Sequence, residues 1–381
     1  MKTLVLTSQI IDERNYQRFY MEQLADQTDE MILDLTKILH KKVFEAQYKK
    51  RKPGLSVTYI DQDADLYSCL SDLGEFDYII SFLGNVYEGN HHVYDLLRPY
   101  QGKLCVMALS GFPSHGINIK TSRSQQLITK IRRESSILGV FKKIGYFLAK
   151  SRKRSPPVFA RYLVSCGAGV TSQYSGFIGE NTEVVESCSH DYIKSLENYD
   201  RPYKDKYVVF LDENLISHSD YMINGVTVEN EKDYYSELAA IFSYIEKNFS
   251  VRVVVAAHPR SELVYTQEKL PGHDIFLGNT NALVKYSEAC ITHASTSANF
   301  AVIFKKPILF ITSDRMKKTR PANELLASWF DRTPVNMSRD DDYHRLKSHW
   351  SLNEKLYEKY MKNFISYSSD CEYGYNFILK R

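Results

Sequence analysis

Cysteine is sparse and unpaired in this chain. Six residues (Cys69, Cys105, Cys166, Cys188, Cys290 and Cys371) are scattered over 381 positions with no CxxC spacing. That pattern excludes a zinc ribbon or a disulfide framework and fits a reducing cytoplasm. Long apolar runs are absent too: nothing reaches the ~18 consecutive apolar residues that a membrane span needs. The opening MKTLVLTSQ is too short an apolar run for a signal peptide and leads into charged sequence. Neither G-x-G-x-x-G nor G-x-x-x-x-G-K-S/T occurs, so dinucleotide-fingerprint and P-loop chemistry find no support. Charge of one sign is also lacking. A net charge of +3 is too near neutral for a dedicated nucleic-acid binder. No internal repeat or low-complexity tract appears.

What is present reads as an α/β protein of two domains. Strands are expected at Lys2–Thr7, 55–60, Tyr78–Phe82, 104–109, 159–165 and 182–185. A helix is expected over 10–38, with Met21, Leu24, Met31, Ile32 and Leu35 near the helical period. Alternating strands and helices imply a parallel sheet. Asp61, Asp63 and Asp65 follow the second strand; they read either as a D-x-D metal motif or, more simply, as a solvated turn and helix cap. Ser189-His190-Asp191-Tyr192 reads as the cap of a short helix. The polar stretch 197–206, with Pro202, is the candidate linker, dividing residues 1–200 from 201–381.

One segment stands apart. Residues 120–155 interleave Lys130, Arg132, Arg133, Lys142 and Lys143 with apolar side chains and hold a single acid, Glu134. This reads as one or two basic amphipathic helices that lie on an anionic membrane surface, clamp a polyanionic acceptor, or pack on their own domain.

The second half is organised by residues 251–312. A β-branched run ends in His258-Pro259-Arg260, a second apolar run ends in His293 and then Ser295-Thr296-Ser297, and a third spans 307–312. Segments 281–287 and 296–304 read as the intervening helices. The result is a β-α-β-α-β pattern with polar groups at strand ends, where open parallel sheets bind ligands. Hydroxyls at a strand-to-helix turn suit a phosphate, and His258 or His293 adds a proton or positive charge. The alternative is an ordinary helix cap with satisfied loop histidines. Asp212-Glu213-Asn214, at the end of the expected strand Tyr207–Leu211, reads as an acceptor-side or base position, or as a turn cap. Beyond 312, short helical pieces at 321–329, a helix start at Asp340-Asp341-Asp342 and a long helical run over 343–367 are expected.

A strand ending in His258-Pro259, then Ser295-Thr296 before a helix, then Lys306-Pro307 and an apolar strand, resembles the C-terminal half of bacterial GT-B glycosyltransferases of surface-polysaccharide synthesis. The nearer likeness is to transferases of CMP-activated sialic, other nonulosonic or Kdo acids; polyol-phosphate transferases carry a similar pair. The resemblance covers about residues 205–315. It implies two Rossmann-like domains facing across a cleft, with a C-terminal helix crossing back. It implies an inverting, metal-independent transfer from a CMP-linked acidic sugar onto a capsule, lipopolysaccharide or related glycan, with no cofactor beyond the donor. The donor phosphate would meet His258, Pro259, Arg260, His293, Ser295, Thr296 and Ser297, with Gly278 and Thr280 nearby. His258 would act as general acid or phosphate ligand, and Asp61, Asp77 and Glu88 are candidates for the base. UDP- or GDP-sugar transfer, CDP-polyol phosphotransfer and sugar-nucleotide 2-epimerisation share the architecture. Location would be cytoplasmic, peripheral on the inner membrane face, with no nucleic-acid partner.

Overall fold

A computed structural model describes residues 1–71, 73–87, 89–113, 157–215, 228–259, 261, 263–372 and 374–379. Glu88, Arg260 and the basic segment 120–155, with Lys130, Arg132, Arg133, Lys142 and Lys143, lie outside the described residues. Two parallel sheets organise the rest.

The first contains β1 (Lys2–Thr7), β2 (Asp29–Asp34), β3 (Thr58–Tyr59), β4 (Tyr78–Phe82), β5 (Leu104–Ala108), β6 (Tyr162–Ser165) and β7 (Glu183–Glu186), in the order β3-β2-β1-β4-β5-β6-β7. The second contains β8 (Tyr207–Leu211), β9 (Arg252–Ala257), β10 (Asp274–Leu277), β11 (Ala289–Thr292), β12 (Ile308–Thr312) and β13 (Val335–Asn336), in the order β10-β9-β8-β11-β12-β13. Strands β5, β8, β11 and β12 are buried along their whole length. Burial on both faces is why they read as unbroken apolar runs rather than alternating ones. The chain leaves the first sheet at Glu186 and enters the second at Tyr207. This is the expected pair of Rossmann-like domains.

Three strands, β2, β10 and the edge strand β13, were not anticipated. β2, with sequence DEMILD, lies inside the stretch expected to be one helix over 10–38. Met31, Ile32 and Leu35 fit a helical period, yet Ile32 and Leu33 are buried in a strand pairing in register with β1, Thr7 opposite Asp34. β10 lies within the first expected crossover, between β9 and the helix Thr280–Tyr286, and pairs with β9. The expected long helix over 343–367 is broken into Asp340–Arg345, Leu346–His349 and Glu354–Phe364.

The helices that position the site are α1 (Glu13–Arg18), α2 (Ala168–Gln173), α3 (His190–Ser195), α4 (Glu231–Phe249), α5 (Ala298–Ile303) and α6 (Glu354–Phe364). α4 is amphipathic as expected. Leu238, Ile241, Phe242 and Ile245 are fully buried against the second sheet. Each such side chain contributes roughly 1.5–3 kcal/mol.

α6 crosses back onto the first domain. Its C-terminal end lies so close to the loops after β5 and β6 that no side chain fits between. A Cβ on Gly111 would sit 2.1 Å from the Phe364 carbonyl oxygen, and one on Gly167 would sit 2.4 Å from that of Asn363. Past α6, Ser189 N donates to Ile365 O at 2.7 Å, and the Tyr375 hydroxyl donates to Phe19 O at 2.8 Å. Gly111→Ala is therefore expected to lose about 1–3 kcal/mol of stability, because the obstructing atoms are backbone and cannot rotate away. Urea unfolding of the variant checks this; an unchanged midpoint would contradict the packing described.

Candidate functional site

Carboxyl ends of β8, β9 and β11 form one edge of the second sheet, and β8 runs between the other two. His258 and Ser295 therefore do not sit on neighbouring strands. The acids at the end of β8 hold the two flanking loops. Asp212 accepts hydrogen bonds from Asn214 N at 3.0 Å, His258 N at 3.4 Å and the Ser261 hydroxyl at 3.3 Å. Burial raises its pKa, with those hydrogen bonds opposing. Glu213 is buried and accepts from Ala294 N at 2.5 Å. Asn214 completes the turn in the left-handed region at φ 49°, which Asn tolerates well. Of the two sequence readings for Asp212, Glu213 and Asn214, the geometry is that of a turn cap extended to two loops.

His293 requires a correction. Its ring is fully enclosed. Nε2 pairs with the Tyr234 hydroxyl at 3.0 Å and Nδ1 with Ile311 O at 3.1 Å. Burial lowers its pKa to about 4. A neutral imidazole with both nitrogens engaged in the core anchors α4 to the end of β11 and presents nothing to a phosphate.

The hydroxyl cluster splits by role. Ser295 is buried: its amide donates to the Thr292 hydroxyl at 3.1 Å, and its own hydroxyl accepts from Ser297 N at 3.3 Å. Ser297 is the N-cap residue of α5 but makes no side-chain cap bond. Thr296 is exposed, and its hydroxyl makes no hydrogen bond among the described residues. His258 is partly exposed and Pro259 exposed beyond it. Gly278 follows the edge strand β10 with φ +83° and open space where a side chain would be, and Thr280 begins the next helix. Among the described residues expected to meet the donor phosphate, those with accessible polar groups are therefore His258, Thr296, Ser297 and Thr280.

The carboxylates expected from the first domain are not brought together. Asp77 precedes β4 and receives a hydrogen bond from Lys2 N at 2.9 Å. It lies at the amino end of the sheet, opposite the edge where ligands bind, and this corrects its assignment as a base. Asp61 follows the outermost strand, is exposed, and pairs with Lys37 at 2.7 Å. Asp63 and Asp65 lie in the first turn of the helix Asp63–Cys69. Among the described residues no group of three or more His, Cys, Asp or Glu is arranged to hold a metal ion.

At the carboxyl edge of the first sheet lies a cavity of about 180 Å³. It opens where the strand order reverses between β1 and β4. Ser8, Arg18, Gly84, Ser110, Tyr174 and His190 are among its lining. The Thr7 hydroxyl shapes the β1 loop, donating to Gln9 O and accepting from Gln9 N, both at 3.0 Å. Ser189 caps α3 as expected, accepting from Tyr192 N at 3.2 Å, and this turn points His190 toward the cavity. Burial, then Arg18, Lys194 and Arg14, lower the His190 pKa to about 3, with Glu197 opposing. Its Nδ1 is buried with no hydrogen-bond partner among the described residues.

The two edges meet at Asn299, on the first turn of α5. Its side-chain amide donates to Asp191 Oδ2 at 2.8 Å and to Gly111 O at 3.4 Å, and its oxygen accepts from the buried Tyr360 hydroxyl at 3.1 Å. Gly111 follows Ser110, and Asp191 follows His190. The cavity wall is thus tied directly to the helix that Thr296 and Ser297 lead into.

Sequence reading missed Arg18 and His190. Arg18 was absorbed in a long helix that does not exist, and His190 was read only as part of a cap. Once β1 and β7 are placed in one parallel sheet, the signal is simple: Arg18 follows the carboxyl end of β1 and His190 that of β7.

No protein-family model matches the sequence, and no curated protein matches it. Among solved structures, the chain is similar to Staphylococcus aureus MnaA with UDP, at 12% identity over 98% of this chain and 93% of that one, with a TM-score of 0.49. It is also similar to the wall teichoic acid polymerase TagF, at 12% identity over 100% of this chain and 87% of that one, with a TM-score of 0.46. Acinetobacter baumannii MurG gives 9% identity over 95% and 93% of the two chains, with a TM-score of 0.47. These are likenesses of overall layout, and the chemistry below rests on this chain's residues. No described helix is long and apolar enough to cross a membrane.

Proposed function

We propose that this protein is a glycosyltransferase that binds a nucleotide-sugar donor at the carboxyl edge of the second sheet and an acceptor in the cavity of the first. The donor is a CMP-linked acidic sugar, on the resemblance of His258-Pro259 and Ser295-Thr296 to that group of transferases. The observation that carries the reading is the Asn299 junction, which sets the exposed Thr296 and Ser297 turn beside the cavity wall.

In this reading Thr296, Ser297 and His258 meet the donor phosphate. Hydroxyl and imidazole donors stabilise the charge that gathers on the leaving phosphate oxygen, as preorganised dipoles do. Buried Ser295 holds the turn, and Asp212 and Glu213 hold the loops. The acceptor hydroxyl attacks the anomeric carbon, the bond from that carbon to the phosphate oxygen breaks, and the hydroxyl proton passes to a base. Among the described residues no carboxylate lines the cavity, and none is assigned as the base. The basic segment 120–155 belongs to the same reading as a contact for an anionic membrane surface or acceptor.

Titrating the full chain with CMP, UDP, GDP and CDP tests this. CMP is expected to bind tightest, and Thr296→Val combined with His258→Ala to weaken it roughly tenfold or more. Preference for UDP or GDP would overturn the donor assignment, and unchanged affinity in the double variant would overturn the site. Turnover of a nucleotide sugar with no acceptor present would instead identify an epimerase.

A further inference from the structure

We propose that the first-domain cavity selects an acidic acceptor, binding its carboxylate or phosphate against Arg18 and His190. The inference rests on the transferase reading above and supplies what that reading leaves open, the chemical class of the acceptor.

Three observations support it. Among the described residues the cavity's titratable side chains are basic or neutral: Arg18 and His190 line it together with Tyr174, and no acid does. Arg18, Lys194 and Arg14 act on His190, opposed by Glu197, and the buried Asp191 is engaged by Asn299 at 2.8 Å and acted on by Arg18 and Arg14. His190 also keeps a buried Nδ1 with no partner among the described residues, whereas buried polar atoms are ordinarily satisfied.

Chemistry then separates the roles. Arg18 supplies the charge and the forked donors that suit a carboxylate or phosphate. His190, held neutral across the physiological range, contributes hydrogen bonds rather than charge. Ser8 and Ser110 lie at the strand ends on either side and suit sugar hydroxyls. Phe19 and Phe82, stacked with ring centroids 4.2 Å apart, form an apolar wall that lowers the local dielectric and strengthens the charge contact.

The test uses the full chain saturated with CMP and four small probes: glucuronic acid against glucose, and glycerol 1-phosphate against glycerol. Binding is followed by ligand-observed NMR titration. At least one acidic probe is expected to bind roughly tenfold or more tightly than its neutral counterpart, and which pair shows the difference separates a carboxylate from a phosphate acceptor. Arg18→Gln should abolish the preference while leaving CMP affinity unchanged. Arg18→Lys, which keeps the charge, should retain part of it. Equal binding of acidic and neutral probes, or a preference that survives Arg18→Gln, overturns the proposal. If CMP binds but no acidic preference appears, the acceptor inference alone fails. An acidic preference without nucleotide binding means that the transferase reading alone fails.

Discussion

Asn299→Ala is expected to destabilise the protein by about 2–4 kcal/mol. The side chain serves three groups at once across the junction of the two domains. Its amide satisfies Asp191 and Gly111 O, and its oxygen receives the Tyr360 hydroxyl. Burial already raises the Asp191 pKa, and the Asn299 hydrogen bond is the largest influence opposing that rise, ahead of Arg18 and Arg14. Alanine would leave that carboxylate short of its donor and the fully buried Tyr360 hydroxyl short of its acceptor. Hydrogen bonds to charged groups contribute about 1.5–3 kcal/mol each, more than neutral ones. Asn299→Asp is expected to be worse at neutral pH, because it sets a second carboxylate against Asp191, and to recover partly in acid as one of the two takes up a proton. Urea unfolding of both variants at pH 5 and pH 8 makes the comparison. An alanine variant within about 0.5 kcal/mol of the parent would show that the junction does not depend on this side chain.

Sequence reading reached the layout because buried parallel strands leave a plain trace. Tyr207–Leu211 is apolar throughout and was expected at its observed bounds, and Ala289–Thr292, apolar up to its last residue, ends where the second run was expected to end, before His293. β2 was hidden because its apolar residues also fit a helix and acids flank them, so periodicity alone could not decide. The site was less legible than the fold. His293 and Thr296 are both polar residues just beyond one strand, yet one is sealed in the core and the other faces out. Register and the arrival of Tyr234 from α4 separate them, and those are tertiary facts. Asp77 shows the same limit differently: a carboxylate beside a strand carries no mark of which end of the sheet it occupies until the strand's direction is known. Asp212 and Glu213 were recognised as significant, but the choice between chemistry and capping depended on β8 running between β9 and β11.

Asp34→Asn is expected to stabilise the protein at pH 8 by about 1–3 kcal/mol and to give no advantage at pH 4. Asp34 ends β2 and is fully buried. One carboxyl oxygen accepts from Thr36 N at 2.8 Å, while the other is buried with no hydrogen bond. Burial raises its pKa from 3.8 to about 6, against the opposing hydrogen bonds from Thr36. A raised carboxyl pKa means that the folded state holds the proton more firmly than the unfolded chain. Between the unfolded value near 4 and the folded value near 6, the folded state therefore binds more protons. Stability from this group is present in acid and is lost as pH rises through that window, and above it the ionised buried carboxylate is a fixed cost. That rise corresponds to about 3 kcal/mol as an upper bound. Asparagine keeps the acceptor for Thr36 N and cannot ionise, so it removes the cost at high pH. It introduces an amide whose own burial offsets part of the gain. Denaturant midpoints of parent and variant, measured from pH 4 to pH 8, should converge at the acid end, diverge between about pH 4 and pH 6, and keep a constant separation above that. Parallel curves across the whole range would mean that Asp34 does not titrate as its surroundings require.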